Sequence, residues 1–256
     1  MRRSSLLFAL LLGGCALMPA PTPMATAMDR WQGGARAKCL VVLLPGAGDH
    51  ASTFGEEGFV AAIRGSGAAA DIVAADATVG YYYRGTAARR IEEDVVAPLR
   101  AGYEQVWLMG VSMGGFGALH YAQQHADEVD AVAVFAPYLG KRKLGEEIRD
   151  AGGLARWTPD APAPITKRNY QRQLWSWLHR VTGGAPGPTI YLAYGDDDRL
   201  APQDAVLAAA LPPERVFHAK GGHDWPVWRE LLRQFLDRST FTTRCAAAGP
   251  TEPPAG

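Results

Sequence analysis

Cysteine is scarce in this chain: there are three among 256 residues, at positions 15, 39 and 245. That excludes a small fold knit by a disulfide framework, and no His/Cys cluster has the spacing of a metal site. Net charge is lacking too. Lys plus Arg and Asp plus Glu each number 26, so the formal charge is zero, without the basic excess of a nucleic-acid binder. No apolar run reaches the ~20 residues that span a bilayer as a helix. There is no internal repeat, and no glycine-rich loop fits a phosphate cradle or a dinucleotide fingerprint. Neither cofactor nor metal is implied, and no nucleic acid is expected as a partner.

What is present begins with "MRR" and the apolar run "LLFALLLGG", which together read as a secretory signal. At its end "LGGC", residues 12–15, resembles the lipobox of bacterial lipoprotein signals. The resemblance implies that residues 1–15 are the signal and that Cys15 carries lipid as the first residue of the mature chain. It further implies membrane attachment through that lipid, in a bacterial cell envelope. Ala16 after the cysteine, rather than aspartate, favours the outer membrane with the domain in the periplasm. Residues 16–35 are rich in Pro, Ala, Thr and Gly without periodicity and read as a flexible tether. Residues 246–256 read as a disordered tail. The stretch left, 36–245, suits one α/β domain.

Within it, apolar runs alternate with helical patterns. "CLVVLLPGAGD" is a continuous apolar run ending in Pro and Gly, as in a strand buried on both faces. "DIVAAD", "QVWLMGVS", "DAVAVFAP", "PTIYLAYGDDD" and "ERVFHA" repeat that signature, predicting about six strands in all. Between them lie helical segments such as "TAARRIEEDVVAPLRAGY", where Ile91, Val95 and Leu99 fall at i, i+4 and i+8. "WPVWRELLRQFLDRS" closes the domain as a helix. Such alternation predicts a mostly parallel sheet with helices on both faces and a site at the carboxyl ends of the strands. Residues 139–187 hold no strand signal. There Leu174, Trp177, Leu178 and Val181 form an apolar helix face, which fits either core packing or a small helical cap with tryptophans over a pocket.

"GVSMGG", residues 110–115, stands where a strand ends and a helix begins. Gly110-Val111-Ser112-Met113-Gly114 fits G-x-S-x-G, whose tight turn pushes the serine oxygen clear of the sheet. A serine hydroxyl needs a base, and the base needs a carboxylate to fix its tautomer and stabilise its charge. Downstream, "YLAYGDDDRLAP" sets carboxylates after one strand and "HAKGGHDW" sets His223 after the next. Parallel strands bring all three loops to one end of the sheet.

In that order of Ser, acid and His the chain resembles the α/β-hydrolase superfamily, over roughly residues 36–240. "GVSMGGFGAL" and "GGHDWPVW" are similar in particular to the esterase D and mycolyltransferase-like branch of serine esterases. The resemblance implies an α/β-hydrolase fold, Ser112 as nucleophile, His223 as base and Asp198 as acid. Asp198 matches the family's G-x-x-D ahead of a proline, while Asp196 and Asp197 are expected in a solvated turn or beside Arg199. It implies an oxyanion hole from the Met113 N–H and, by likeness to HG-type loops, the Ala47 N–H, with Gly48 as the alternative. Only about ten residues expected to be ordered precede Cys39, so the family's antiparallel first hairpin is expected to be absent and the sheet to be a reduced, all-parallel one. The implied activity is hydrolysis of a small-molecule or lipid-like carboxylic ester through an acyl-enzyme. Transfer of the acyl group to an acceptor alcohol is one alternative, and a non-catalytic lipoprotein acting in binding or assembly is another.

Other polar residues are expected to be bland. His50 is read as a solvated loop residue, His120 and His125 as surface, Asp76 as turn-forming, and Tyr81–Tyr83 as packing or pocket wall. With Cys15 consumed by lipid, Cys39 and Cys245 remain as a pair in an oxidising compartment. Cys39 starts the first parallel strand and Cys245 follows the closing helix, which in the resembling fold packs near that strand. A Cys39–Cys245 disulfide is therefore expected.

Overall fold

The computed structural model describes residues 19–33 and 36–247. The signal, Cys15 and most of the C-terminal tail lie outside the described residues. Seven strands form one sheet: β1 Thr26–Asp29, β2 Cys39–Leu44, β3 Ala70–Ala75, β4 Gln105–Val111, β5 Ala131–Phe135, β6 Thr189–Gly195 and β7 Val216–Ala219. Their order across the sheet is β1-β3-β2-β4-β5-β6-β7. Every neighbouring pair from β3 to β7 runs parallel, whereas β1 runs antiparallel to β3.

The continuous apolar runs are explained by two cores. On β2, Leu40, Val42 and Leu44 point into one, and Cys39, Val41 and Leu43 into the other. Side chains alternate along a strand, so a strand covered on both sides has no polar position. The first core is closed by the helices Ala87–Ile91, Met113–Gln124, Tyr170–Thr182 and Ala201–Ala208. The second is closed by Phe59–Gly65 and Trp225–Arg238, with Phe54 packed on Trp225, Phe235 and Phe241 on Trp107, and Phe135 on Phe59. Among the described residues no helix is long and apolar enough to cross a membrane.

Two expectations change. The tether assigned to residues 16–35 contains β1, and the sheet is not all-parallel: β1 is a single antiparallel edge strand, with no first hairpin among the described residues. Its side chains are mostly exposed, so it carries no apolar periodicity that a sequence pattern could reveal. Polar bonds hold this segment instead. Arg64 forms an ion pair with Asp29, the Trp31 N–H donates to Asp71 Oδ1 at 2.7 Å, and the Met24 N–H donates to Asp94 Oδ2 at 2.7 Å. The Tyr81 hydroxyl donates to the Pro21 carbonyl at 2.6 Å.

The segment 139–187 holds helices Arg142–Asp150 and Tyr170–Thr182 and no strand. Leu174, Trp177 and Leu178 are buried in the first core, and Val181 packs against it half-buried. Trp175 donates its ring N–H to the Leu139 carbonyl at 2.9 Å. The tryptophans of this segment line neither of the two cavities beside the serine, so its apolar face is core rather than a tryptophan-lined cap.

Cys39 and Cys245 are joined by a disulfide with Cα atoms 5.5 Å apart. It lies at the amino end of β2, across the sheet from the strand ends that carry the serine loop.

Candidate active site

β4 ends at Val111 and the next helix begins at Met113, so Ser112 alone makes the turn. Its backbone sits at φ 51°, ψ −114°, outside the usual range of a residue with a side chain. Two glycines make the turn possible. A Cβ on Gly110 would overlap the Gly114 carbonyl, and one on Gly114 would overlap the Leu44 carbonyl. The end of β5 and the loop after it then lock the strained residue in place. The Ser112 N–H donates to the Phe135 carbonyl at 2.8 Å, and the Ser112 carbonyl accepts from the Tyr138 N–H at 3.0 Å.

Asp198 follows β6, and His223 follows β7. Gly195 lets the two loops meet, because a Cβ there would sit 2.9 Å from the Gly222 carbonyl oxygen. His223 Nδ1 lies 2.7 Å from Asp198 Oδ2, and His223 Nε2 lies 2.8 Å from Ser112 Oγ. An ionised carboxylate can only accept, so Nδ1 carries the hydrogen and Nε2 is left free to accept the serine proton. The other Asp198 oxygen accepts the Leu200 N–H at 2.8 Å. Both carboxylate oxygens thus have a donor, and Asp198 is 4% exposed. Its neighbours are differently placed. Asp196 and Asp197 are exposed, and Asp196 pairs with His218 at 3.1 Å rather than with Arg199.

Trp228 holds the imidazole from the side. Its ring stands edge-on to that of His223, with centroids 5.0 Å apart and planes at 88°. Trp225 in turn packs on Trp228 at 5.0 Å. The stretch "HDWPVW" does not by its pattern assign these tryptophans a role. The available signal was an aromatic residue one turn into the helix capped by Asp224, whose side chain accepts the Val227 N–H at 3.1 Å.

The loop after β2 borders the serine. Gly46 is near enough that a Cβ on it would lie 3.6 Å from Ser112 Cβ, and Ala47 and Ser112 line one cleft of about 610 Å³. Met113 begins the helix, so its N–H has no intrahelical acceptor. Among the described residues no acceptor takes the Ala47 N–H either. Gly48, the alternative donor, is exposed at φ 92°.

The remaining candidates divide. His50 is largely exposed and bonds Asp76 at 3.0 Å. His218 is exposed. His120, expected at the surface, is instead half-buried against Phe116, with ring centroids 5.2 Å apart, and burial lowers its pKa. Tyr81 is buried, Tyr82 is half-buried and Tyr83 exposed. One grouping escaped the sequence because Glu92 lies far along the chain from the other two members: Glu92, His125 and Glu128 converge. The network is internally paired. Glu92 accepts the Tyr121 hydroxyl at 2.5 Å, and Glu128 faces Arg100 at 3.4 Å and His125 at 3.8 Å.

Residues 94–238 match the model of the Esterase family. An acetyl esterase of Caldicellulosiruptor saccharolyticus is 24% identical over 156 residues, 54% of this chain and 55% of that protein. The chain thus spans about half the length of the curated relative it matches. Among solved structures, an S-formylglutathione hydrolase of Staphylococcus aureus superposes with a TM-score of 0.57 at 14% identity, covering 84% of this chain and 91% of the other. A monoacylglycerol lipase of Paleococcus ferrophilus gives 0.54 at 17% identity, covering 86% and 99%. At these identities the likeness to solved structures is one of fold, here the α/β-hydrolase fold. The family match is broader, since it takes in more than half of the chain and all three loops that carry Ser112, Asp198 and His223, and on it this chain belongs to the Esterase family.

Proposed function

We propose that this protein is a serine esterase that cleaves a carboxylic ester through an acyl-enzyme. The observation that supports it most is the unbroken hydrogen-bond chain from Ser112 through His223 to Asp198. Ser112 Oγ attacks the ester carbonyl carbon while its proton passes to His223 Nε2. The negative charge on the carbonyl oxygen is met by the Met113 and Ala47 N–H groups. When the intermediate collapses, the bond to the alcohol oxygen breaks and His223 returns the proton to that oxygen. Water then attacks the acyl carbon as His223 takes its proton, the bond from that carbon to Ser112 Oγ breaks, and His223 returns the proton to Oγ as the acid leaves. Asp198 keeps the imidazole in the right tautomer and stabilises its charged form. A small ester is the substrate class in view, consistent with the acetyl esterase likeness.

Labelling of the purified protein with a fluorophosphonate probe tests this reading, together with turnover of 4-nitrophenyl acetate. Ser112→Ala should lose the label, and Ser112→Ala and His223→Ala should each lower kcat by ~10⁴-fold or more. The double variant should be hardly worse, because the two groups act as a unit. Substantial ester hydrolysis by Ser112→Ala would refute the nucleophile.

The reading extends to a lipid anchor on Cys15 that holds the domain at a bacterial envelope membrane. Support comes from "LGGC" after an apolar run. Cys15→Ser should move the protein from the membrane to the soluble fraction without changing its rate on a soluble ester. Full membrane retention of that variant would argue against the anchor.

A further inference from the structure

We propose that the groove along the Met113–Gln124 helix holds the acyl part of the substrate and selects acyl groups with an apolar body ending in a carboxylate. This rests on the esterase reading and deepens it. The groove measures about 780 Å³ and is separate from the cleft that His223 lines.

Position comes first. Met113, Phe116, His120 and Gln124 line the groove at intervals of three and four residues, so it follows one helix face for ~16 Å. It begins one residue from the serine, which itself lines the neighbouring cleft with His223. Met113 is the next residue, and the N–H groups of Phe116 and Tyr138, both in the groove wall, donate to the Ser112 carbonyl at 3.2 and 3.0 Å. The chemistry of ester cleavage then decides which limb enters it. His223 must hand its proton to the leaving alcohol, so the alcohol limb lies on the side of His223, Trp225 and Trp228. The acyl limb is left with the groove.

Composition comes second. The wall next to the serine is aromatic: Phe116 packs against Tyr82, Tyr138 and Tyr170, with ring centroids 6.0, 6.2 and 5.5 Å away. Tyr82 Oη is buried and without a partner among the described residues. The groove also carries charge of one sign. Arg84, Arg89 and Lys167 line it, and no carboxylate does. Arg89 shares Glu93 at 3.4 Å, but among the described residues Arg84 and Lys167 have no carboxylate in ion-pair range. Lys167 is held over the Tyr83 ring, 5.6 Å from its centroid. By contrast the His223 cleft mixes Asp49, Glu57 and Asp224 with Arg199 and Arg229. In a chain of zero net charge, an aromatic channel with an unbalanced cationic rim matches an amphiphilic acyl group of opposite charge.

The test uses the full chain and two series of 4-nitrophenyl esters of graded length: monoesters of straight-chain dicarboxylic acids, and neutral monoacid esters matched in length. At some length kcat/KM for the carboxylate-terminated ester should exceed that of its neutral match by about three- to tenfold at low salt, as two exposed ion pairs permit. The excess should shrink as salt rises. Arg84→Ala combined with Lys167→Ala, both exposed, should remove it. Ile165→Trp, on the groove's loop wall, should lower kcat/KM for long esters of both series relative to the acetate. Neutral esters equal to or better than their charged matches at every length would overturn the inference. So would a preference that survives loss of both cations. If the acetate is hydrolysed and Ser112 takes the fluorophosphonate, such a result leaves the esterase reading standing. If neither occurs, both fall.

Discussion

Asp198 and Asp204 are two buried carboxylates six residues apart, and they have opposite surroundings. Asp198 has a donor on each oxygen, from Leu200 and His223. Asp204 is 0% exposed, and neither of its oxygens has a partner among the described residues. Burial pushes its pKa well above the ordinary 3.8, and the nearby Asp198 charge adds to the shift. Two predictions follow from this contrast. Asp198→Asn should lower kcat by roughly 10⁴-fold, because an amide can hold the wrong imidazole tautomer and cannot stabilise the charged ring. Asp196→Asn and Asp197→Asn, on exposed side chains, should stay close to the parent. Comparable damage at Asp197 would show that the acid is misassigned. Asp204→Asn should instead raise stability, and more so as pH rises. Above pH 3.8 the unfolded chain gives up this proton while the folded chain keeps it, so the folded state binds more protons and loses stability with pH, by up to about 1.4 kcal/mol per unit, until the raised folded pKa is reached. The asparagine variant lacks that slope. Denaturant melts of both proteins at several pH values would show it, and parallel curves would refute it. The sequence pointed to Ser112 and His223 as candidates through motif and order, and to Asp198 through its spacing from Gly195 and Pro202, and the structure brings the three side chains within hydrogen-bond reach. It could not disclose Asp204, whose peculiarity is a missing partner, or Trp228, whose role is a contact across a turn.

Among elements, the turn between β4 and its helix has the least tolerance. Gly114 lies directly over the Leu44 carbonyl, so the helix start and the end of β2 are in backbone contact. Gly114→Ala should cost about 1–3 kcal/mol or more in stability, since neither backbone can yield without moving a central strand. It should cost activity as well, by ~10²-fold, because a shift near 1 Å at Ser112 breaks its alignment with His223. Thermal melting and kcat on 4-nitrophenyl acetate would measure the two effects, and an alanine variant with parental values of both would contradict the packing. The same strand ends explain which elements were legible. β2 to β6 are buried on both sides or nearly so, and burial writes itself into the chain as apolar runs closed by Gly, Pro or Asp, while β7, at the far edge, buries only Phe217 and leaves His218 exposed. β1 is an edge strand that pairs through its backbone and is anchored by Asp29, Arg64 and Asp71, so its side chains leave no pattern. The helix Tyr170–Thr182 had a clear apolar face, but a face does not say what covers it. Here the cover is the sheet's own first core.

At the scale of the whole molecule the chain is closed on itself. Cys39 and Cys245 are separated by 206 positions, so their bond ties the first central strand to the end of the last helices. Both cysteines are 0% exposed, and the Cys245 carbonyl accepts the Ala69 N–H at 2.7 Å, which holds the C-terminal turn against the strand below it. The cysteine arithmetic and the parallel topology made the pair legible, because each places its residue at the amino end of the sheet. In the chain-entropy picture a loop of this length contributes about 5 kcal/mol by restricting the unfolded chain, and removing such bonds typically costs ~2–5 kcal/mol. The bond is buried, so a reductant reaches it only through unfolding, and paired substitution is the cleaner test. Cys39→Ser with Cys245→Ser should lower the unfolding free energy by that amount in denaturant melts. It should also steepen the denaturant dependence, since the uncrosslinked unfolded chain exposes more surface. The rate on a soluble ester should stay close to parental below the melting transition, because Cys39 pairs with Gln105 at one end of β4 and Ser112 follows the other. An oxidised parent no more stable than the double variant would overturn the stabilising role of the bond, and two reactive thiols in the unreduced, denatured parent would show that it does not form.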